Sequence, residues 1–123
     1  MRRVVILGLA LSLMACGNDA TAPSVSLNGS YSLRTINGSS LPYTFSGGLT
    51  LVSDQLTLNP DGSYSDFTQY SDGTISTQNG FYSEFNGSIQ FNDQTDHVTF
   101  QGSLSGSVLT EITPGFTQAY EKN

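Results

Sequence analysis

The sequence predicts an all-β domain, an antiparallel up-and-down meander closing into a small barrel of about eight strands. Three observations carry this. Short runs with period-two alternation recur along the chain, as in Leu56-Thr57-Leu58 and Ile89-Gln90-Phe91, and period two is the mark of a half-buried strand. Turn residues punctuate these runs at a spacing of roughly 8–12 residues, which belongs to sandwiches and barrels. Beyond Asn28 no segment combines helical periodicity with helix-forming residues.

The chain opens differently. Arg2 and Arg3 precede the apolar run Val4-Val5-Ile6-Leu7-Gly8-Leu9-Ala10-Leu11, which leads into Leu13-Met14-Ala15-Cys16. A charged start, a short apolar middle and small residues before a cut describe a secretory signal. The run is shorter than the roughly 20 apolar residues of a spanning helix. Cys16 is the only cysteine, and Leu-x-Ala-Cys resembles the lipobox of bacterial prolipoproteins. In that family the thiol receives a diacylglyceryl group, a peptidase cuts before the cysteine, and the new amino terminus is acylated. The resemblance implies that residues 1–15 are a lipoprotein signal peptide and that Cys16 is the lipidation site, with the membrane as partner through the lipid. Two or three acyl chains anchor a protein stably where one does not. Residues 16–27 then comprise the lipidated cysteine and a flexible tether, small and polar with one proline, Pro23. Gly17 stands where an aspartate retains many Gram-negative lipoproteins at the inner membrane. The resemblance therefore implies the cell envelope, and its outer membrane where the organism has one.

Composition sets the remaining bounds. After Cys16 only Arg34 and Lys122 are basic, against all 10 acidic residues. Nucleic-acid binding rests on Lys and Arg meeting phosphates, so no nucleic-acid partner is expected. No thiol remains for a disulfide, and stability must come from packing and sheet closure. The same part holds all 7 phenylalanines and 6 tyrosines, among Ser, Thr, Gly and Asn. This composition suits exposed β-structure and not a disordered chain.

Residues 28–122 form the β domain. Tyr31 and Leu33 alternate with Ser32 and Arg34, and Asn37-Gly38 breaks the run. Leu41-Pro42-Tyr43 restarts it, Tyr43-Thr44-Phe45 alternates, and Gly47-Gly48 turns. Leu49 to Leu51 and Gln55 to Leu58 alternate again before Asn59-Pro60-Asp61-Gly62, where proline presets φ and Asp-Gly tolerates the bend. Ser63 to Phe67 is the hairpin partner. Ser71-Asp72-Gly73 turns, and Gly80 to Phe85 forms a strand. Asn86-Gly87 is the favoured two-residue hairpin turn, joining it to Ser88 to Phe91. A polar loop is expected over Asn92 to Asp96. His97 to Leu104, Ser107 to Ile112 and Phe116 to Tyr120 follow, parted by Ser105-Gly106 and Pro114-Gly115. With one buried face, Tyr31, Leu33, Leu56, Leu58, Phe81, Phe85, Ile89, Phe91, Val98 and Phe100 are expected to point inward.

In order, these pieces resemble a small bacterial lipocalin-like domain. Gly29-Ser30-Tyr31-Ser32-Leu33 with Ile36-Asn37-Gly38-x-x-Leu41-Pro42 is similar to the opening of such domains. Leu56 to Tyr64 resembles their central hairpin, Gly80 to Phe91 a later one, and Tyr120-Glu121-Lys122 the aromatic-then-basic ending. Lipocalins proper carry Gly-x-Trp in the first strand and often an arginine near the end that packs on that ring. Here Tyr31 stands in place of the Trp, and Lys122 is the terminal cation.

No catalytic constellation stands out. His97, the sole histidine, lies near Asp93 and Asp96, yet zinc needs three or four such ligands in fixed geometry, and Asn92 to Asp96 lacks the glycine and final glutamate of a calcium loop. No metal or cofactor is expected. Asp66 and Glu84 lie within strands and are expected on the solvent face. Serines 103 and 105 lie in hairpin sequence without an activating base, and no enzyme activity is expected. Tyr31, Tyr64, Tyr82 and Tyr120 are the candidate ligand-binding residues, with apolar faces and hydroxyl tips; the alternative is that they fill a narrow barrel. The expected function is that of a lipid-anchored, non-enzymatic envelope binding module for a small apolar ligand. The alternative is a protein-facing inhibitor or assembly accessory with a solid barrel interior.

Overall fold

The computed structural model describes residues 27–123, so the lipobox and almost all of the tether lie outside the described residues. Among the described residues ten strands follow in chain order: β1 (Gly29–Ile36), β2 (Ser39–Ser40), β3 (Tyr43–Thr44), β4 (Thr50–Leu58), β5 (Ser63–Tyr70), β6 (Ile75–Phe85), β7 (Ser88–Asp93), β8 (Val98–Ser105), β9 (Val108–Thr113) and β10 (Phe116–Lys122). From β4 to β10 each strand pairs antiparallel with the next, and β10 pairs with β1. The circle closes where Gly29–Ser32 pairs with Gln55–Leu58. This is the expected eight-strand meander barrel, and closure removes the unpaired edges of an open sheet.

The closing seam is incomplete. Past Ser32 the edges of β1 and β4 part, and the two short strands fill the gap. β2 pairs with Thr35 and Ile36 of β1, and β3 pairs with Thr50 and Leu51 of β4. Between the two edges a side cleft remains, lined by Ser32, Arg34, Thr35, Ser53 and Gln55.

Chain direction divides the barrel into two ends. One end holds the turns at 59–62, 86–87 and 106–107 together with both termini of the domain. The other holds the turns at 71–74, 94–97 and 114–115 and the 37–49 segment. The first end is filled. Tyr31, Leu56 and Leu58 are fully buried, the Tyr31 hydroxyl donates to the Leu27 carbonyl at 2.5 Å, and the Tyr82 hydroxyl donates to the Asn59 carbonyl at 2.6 Å. The Lys122 ammonium sits 5.9 Å from the Tyr31 ring centroid, within cation–π range. The terminal cation of the domain is thus stacked on the tyrosine of its first strand. Gly29 permits this: a Cβ there would lie 2.7 Å from the Lys122 Cε.

The core above this end is Leu33, Ile36, Leu51, Tyr64, Ile89, Phe91, Leu109 and Tyr120. Phe91 lies at its centre, edge-on to Tyr64 at 5.3 Å and stacked on Phe100 at 4.9 Å. Its ring occupies the space above Gly102, where a Cβ would come within 3.0 Å of it.

Several inward expectations are corrected. Phe81 and Phe85 are 57% and 77% exposed. The tight turn at Asn86-Gly87 sets Tyr82 opposite Phe91 and Glu84 opposite Ile89. Directly paired residues share a face, so Tyr82 turns in and Phe81 turns out. Val98 has inward parity but is 51% exposed, because it stands at the barrel rim. Asp93 is no loop residue: it ends β7, is buried, and its Oδ1 accepts the Thr95 and Asp96 amides at 2.8 and 3.3 Å.

Candidate functional site

Four strands repeat one pattern. Each carries a buried apolar or aromatic residue and, two residues further toward the open end, a carboxylic acid on the same face. Asp54 follows Leu56 on β4, Asp66 follows Tyr64 on β5, Asp93 follows Phe91 on β7, and Glu111 follows Leu109 on β9. Period-two alternation forces each acid to share its neighbour's inward direction. The result is an acidic layer on an apolar floor. The expectation that Asp66 faces solvent is corrected on this ground, whereas Glu84 is exposed and accepts the Gly87 amide at 2.7 Å.

Above the layer the barrel opens into a cavity of about 250 Å³. Asp54, Asp66, Asp93, Glu111, Tyr64 and Thr68 line its depth, and Gln78 and Gln118 its walls. Phe45, Tyr70, Phe100 and Phe116 stand at the rim, Phe45 and Phe116 meeting edge to face at 5.4 Å. The volume is just below the roughly 300–1,000 Å³ of drug-sized sites, so an occupant must be small.

The polar groups are under-partnered. Thr68 Oγ1 donates to Asp54 Oδ2 at 2.9 Å. Asp54 Oδ1, Asp66 Oδ1, the Tyr64 hydroxyl and the Tyr120 hydroxyl are buried with no hydrogen-bond partner in the protein. Asp54 lies near enough to Asp66 and Tyr120 to perturb both, short of hydrogen-bond geometry. Burial pushes Asp66 up to about 11, with the adjacent Asp54 and the Glu111 and Asp93 charges adding to it. Burial, then the Asp54 charge, pushes Glu111 up to about 8. Burial also raises Asp54. The Asp54–Asp66 pair therefore retains a proton at neutral pH, because two adjacent carboxylates do not both ionise in a poorly solvated site.

Of the four candidate tyrosines, the structure brings Tyr64 to the cavity, and Tyr120 lies buried against its acids. Tyr31 and Tyr82 belong to the filled end, where both hydroxyls are spent on backbone carbonyls. His97 is exposed in the turn after β7, with φ of 58°. Among the described residues, no three His, Cys, Asp or Glu side chains are grouped so as to hold a metal ion.

No family model matches the chain, and no curated protein matches it. Among solved structures it is similar to a lipocalin-like protein from Bacteroides uniformis ATCC 8492. The two share 21% identity with a TM-score of 0.53, over 79% of this chain and 98% of that one. The likeness is one of fold, and the barrel is lipocalin-like.

Proposed function

We propose that this protein is a lipid-anchored envelope lipoprotein whose barrel binds a small molecule through its open end, without catalysis. The observation that carries the reading is the cavity itself: a lipocalin-like barrel filled at one end and open at the other, with buried polar groups awaiting partners. Buried donors and acceptors without partners cost about 1–3 kcal/mol each, a cost that an occupant offsets. The polar depth shifts the ligand away from the purely apolar molecule that composition alone favours.

The anchor rests on the lipobox sequence at Cys16. Leu27 adjoins the filled end of the barrel, so the open end lies away from the point where the tether joins the domain. Export to the outer membrane rests on Gly17. The protein-facing alternative draws on outward Phe67, Ile75 and Phe81, but Phe81 lies apart from the other two, opposite Ser63 and Asn92.

Cys16→Ser is expected to abolish membrane association, with the protein recovered almost wholly in the soluble fraction after a carbonate wash. Equal membrane recovery of the variant and the parent refutes the anchor. Native mass spectrometry of the protein released from membranes in mild detergent tests the binding reading. A co-purifying small molecule supports it, and an empty barrel that takes up nothing from a whole-cell metabolite extract refutes it.

A further inference from the structure

We propose that the acidic depth of the open barrel binds a small organic cation, a primary amine carrying an apolar or aromatic body. This rests on reading the barrel as a binding module and names its ligand class. Asp54, Tyr64, Asp66 and Glu111 converge on one cavity from three strands. A cluster of acids alone would have a bland explanation in charges turned to solvent. These acids instead sit below the rim: Asp54, Tyr64 and Glu111 are each only 3% exposed. The Asp54 Oδ1 and the Tyr64 hydroxyl find no partner in the protein.

An ammonium group meets this demand. It offers three donors and no acceptor, and charge-assisted bonds to carboxylates are roughly twice as strong as neutral ones. Among the described residues, no Lys or Arg lines the cavity. The titratable groups facing the cavity floor are Asp54, Tyr64, Asp66, Asp93, Glu111 and Tyr120; Tyr70 and Asp96 stand nearer the rim. β6 and β8 bring Gln78, Gly80 and Gly102 to this depth, and β1 brings Leu33, none of them titratable. The acids are not grouped for a metal ion, which favours a cation with directional N–H donors and a body. The rim supplies the complement for that body: Phe45, Phe100, Phe116 and Tyr70 present apolar faces that also attract positive charge. The net negative charge of the whole chain steers cations toward it and repels anions.

Isothermal titration of the full-length protein in mild detergent with 2-phenylethylamine, 2-phenylethanol and 3-phenylpropionate tests the proposal. The three share an aromatic body and differ in charge. The amine is expected to bind at least about tenfold tighter than the alcohol, with the acid weakest, and to lose about tenfold or more in Asp54→Asn and Glu111→Gln. Glu111 and one member of the Asp54–Asp66 pair hold protons at pH 7, and an ammonium placed among them favours their ionised forms, so proton release is expected when the amine titration is repeated at pH 7 in buffers of different ionisation enthalpy. That measurement needs only the parent protein and decides the matter if the variants do not fold. Binding of the alcohol or the acid as tight as the amine overturns the cation while leaving the barrel a binding module. Amine binding without proton release overturns it on its own, as does amine binding undiminished in folded variants. No binding of the amine does so too, and the reading of the barrel itself then stands or falls on the co-purified molecule.

Discussion

Phe91→Ala is expected to leave the domain largely unfolded at room temperature. The ring is wholly buried, packs edge-on to Tyr64, stacks on Phe100 and covers Gly102. Removing such a ring costs about 3–5 kcal/mol, the lost transfer free energy plus the cavity left behind. A domain of this size has about 5–15 kcal/mol in all, and none of it here comes from a disulfide, since the only cysteine is Cys16. The interior also carries under-partnered acids, which place this barrel toward the low end of that range. Phe100, only half-buried, is expected to cost less. Phe85→Ser, at an outward position, is expected to stay within about 0.5 kcal/mol of the parent. Urea melts followed by circular dichroism check the order. A Phe85→Ser variant as damaging as Phe91→Ala would mean that the inward and outward faces of β6 and β7 have been assigned the wrong way round.

That assignment marks where sequence reading succeeds and where it stops. Strand positions and hairpin order were legible because alternation and turn chemistry agree: Asn59 to Gly62 and Asn86-Gly87 lie between strands that pair as expected. The face of β6 was not, because Gly80-Phe81-Tyr82-Ser83-Glu84-Phe85 carries aromatics in both phases, and hydrophobicity alone favours the wrong one. The deciding signal lay in the next strand. A two-residue turn fixes the register, and Ile89 and Phe91 inward then force Glu84 and Tyr82 onto their face. The same phase argument exposes the acidic layer, since Asp54, Asp66, Asp93 and Glu111 each stand two residues from a core residue. Reading acids as solvent-facing by type hid it. Which strands set their acids toward a common cavity depends on barrel closure between β1 and β4, a long-range pairing that no local pattern encodes.

Stability is expected to rise as the pH falls from about 8 to about 5, the reverse of ordinary acid denaturation. In the unfolded chain Asp and Glu ionise near pH 4. In the folded barrel burial holds Asp66 up to about 11 and Glu111 up to about 8. Between about pH 4 and pH 8 the folded state therefore binds more protons than the unfolded one. Stability must then fall with rising pH, by about 1.4 kcal/mol per unit for each proton so retained. Below about pH 4 both states are protonated and the cost vanishes; near pH 8 Glu111 begins to ionise in the folded state and its share of the slope flattens. Asp61 and Asp72 act in the opposite sense. Hydrogen bonds from Ser63 and Thr74 lower their pKa, so their stabilisation is present above pH 4 and lost as the pH drops through the lowered values. Both are fully exposed turn residues, and solvent screens what they contribute. Asp66→Asn removes the largest retained proton without changing shape. It is expected to raise the urea midpoint at pH 8, to leave it nearly unchanged at about pH 4.5, and to flatten the slope between. A parent midpoint that climbs with pH over this range would mean that these acids are ionised and solvated in the fold, and that the interior layer is not the low-dielectric site its burial implies.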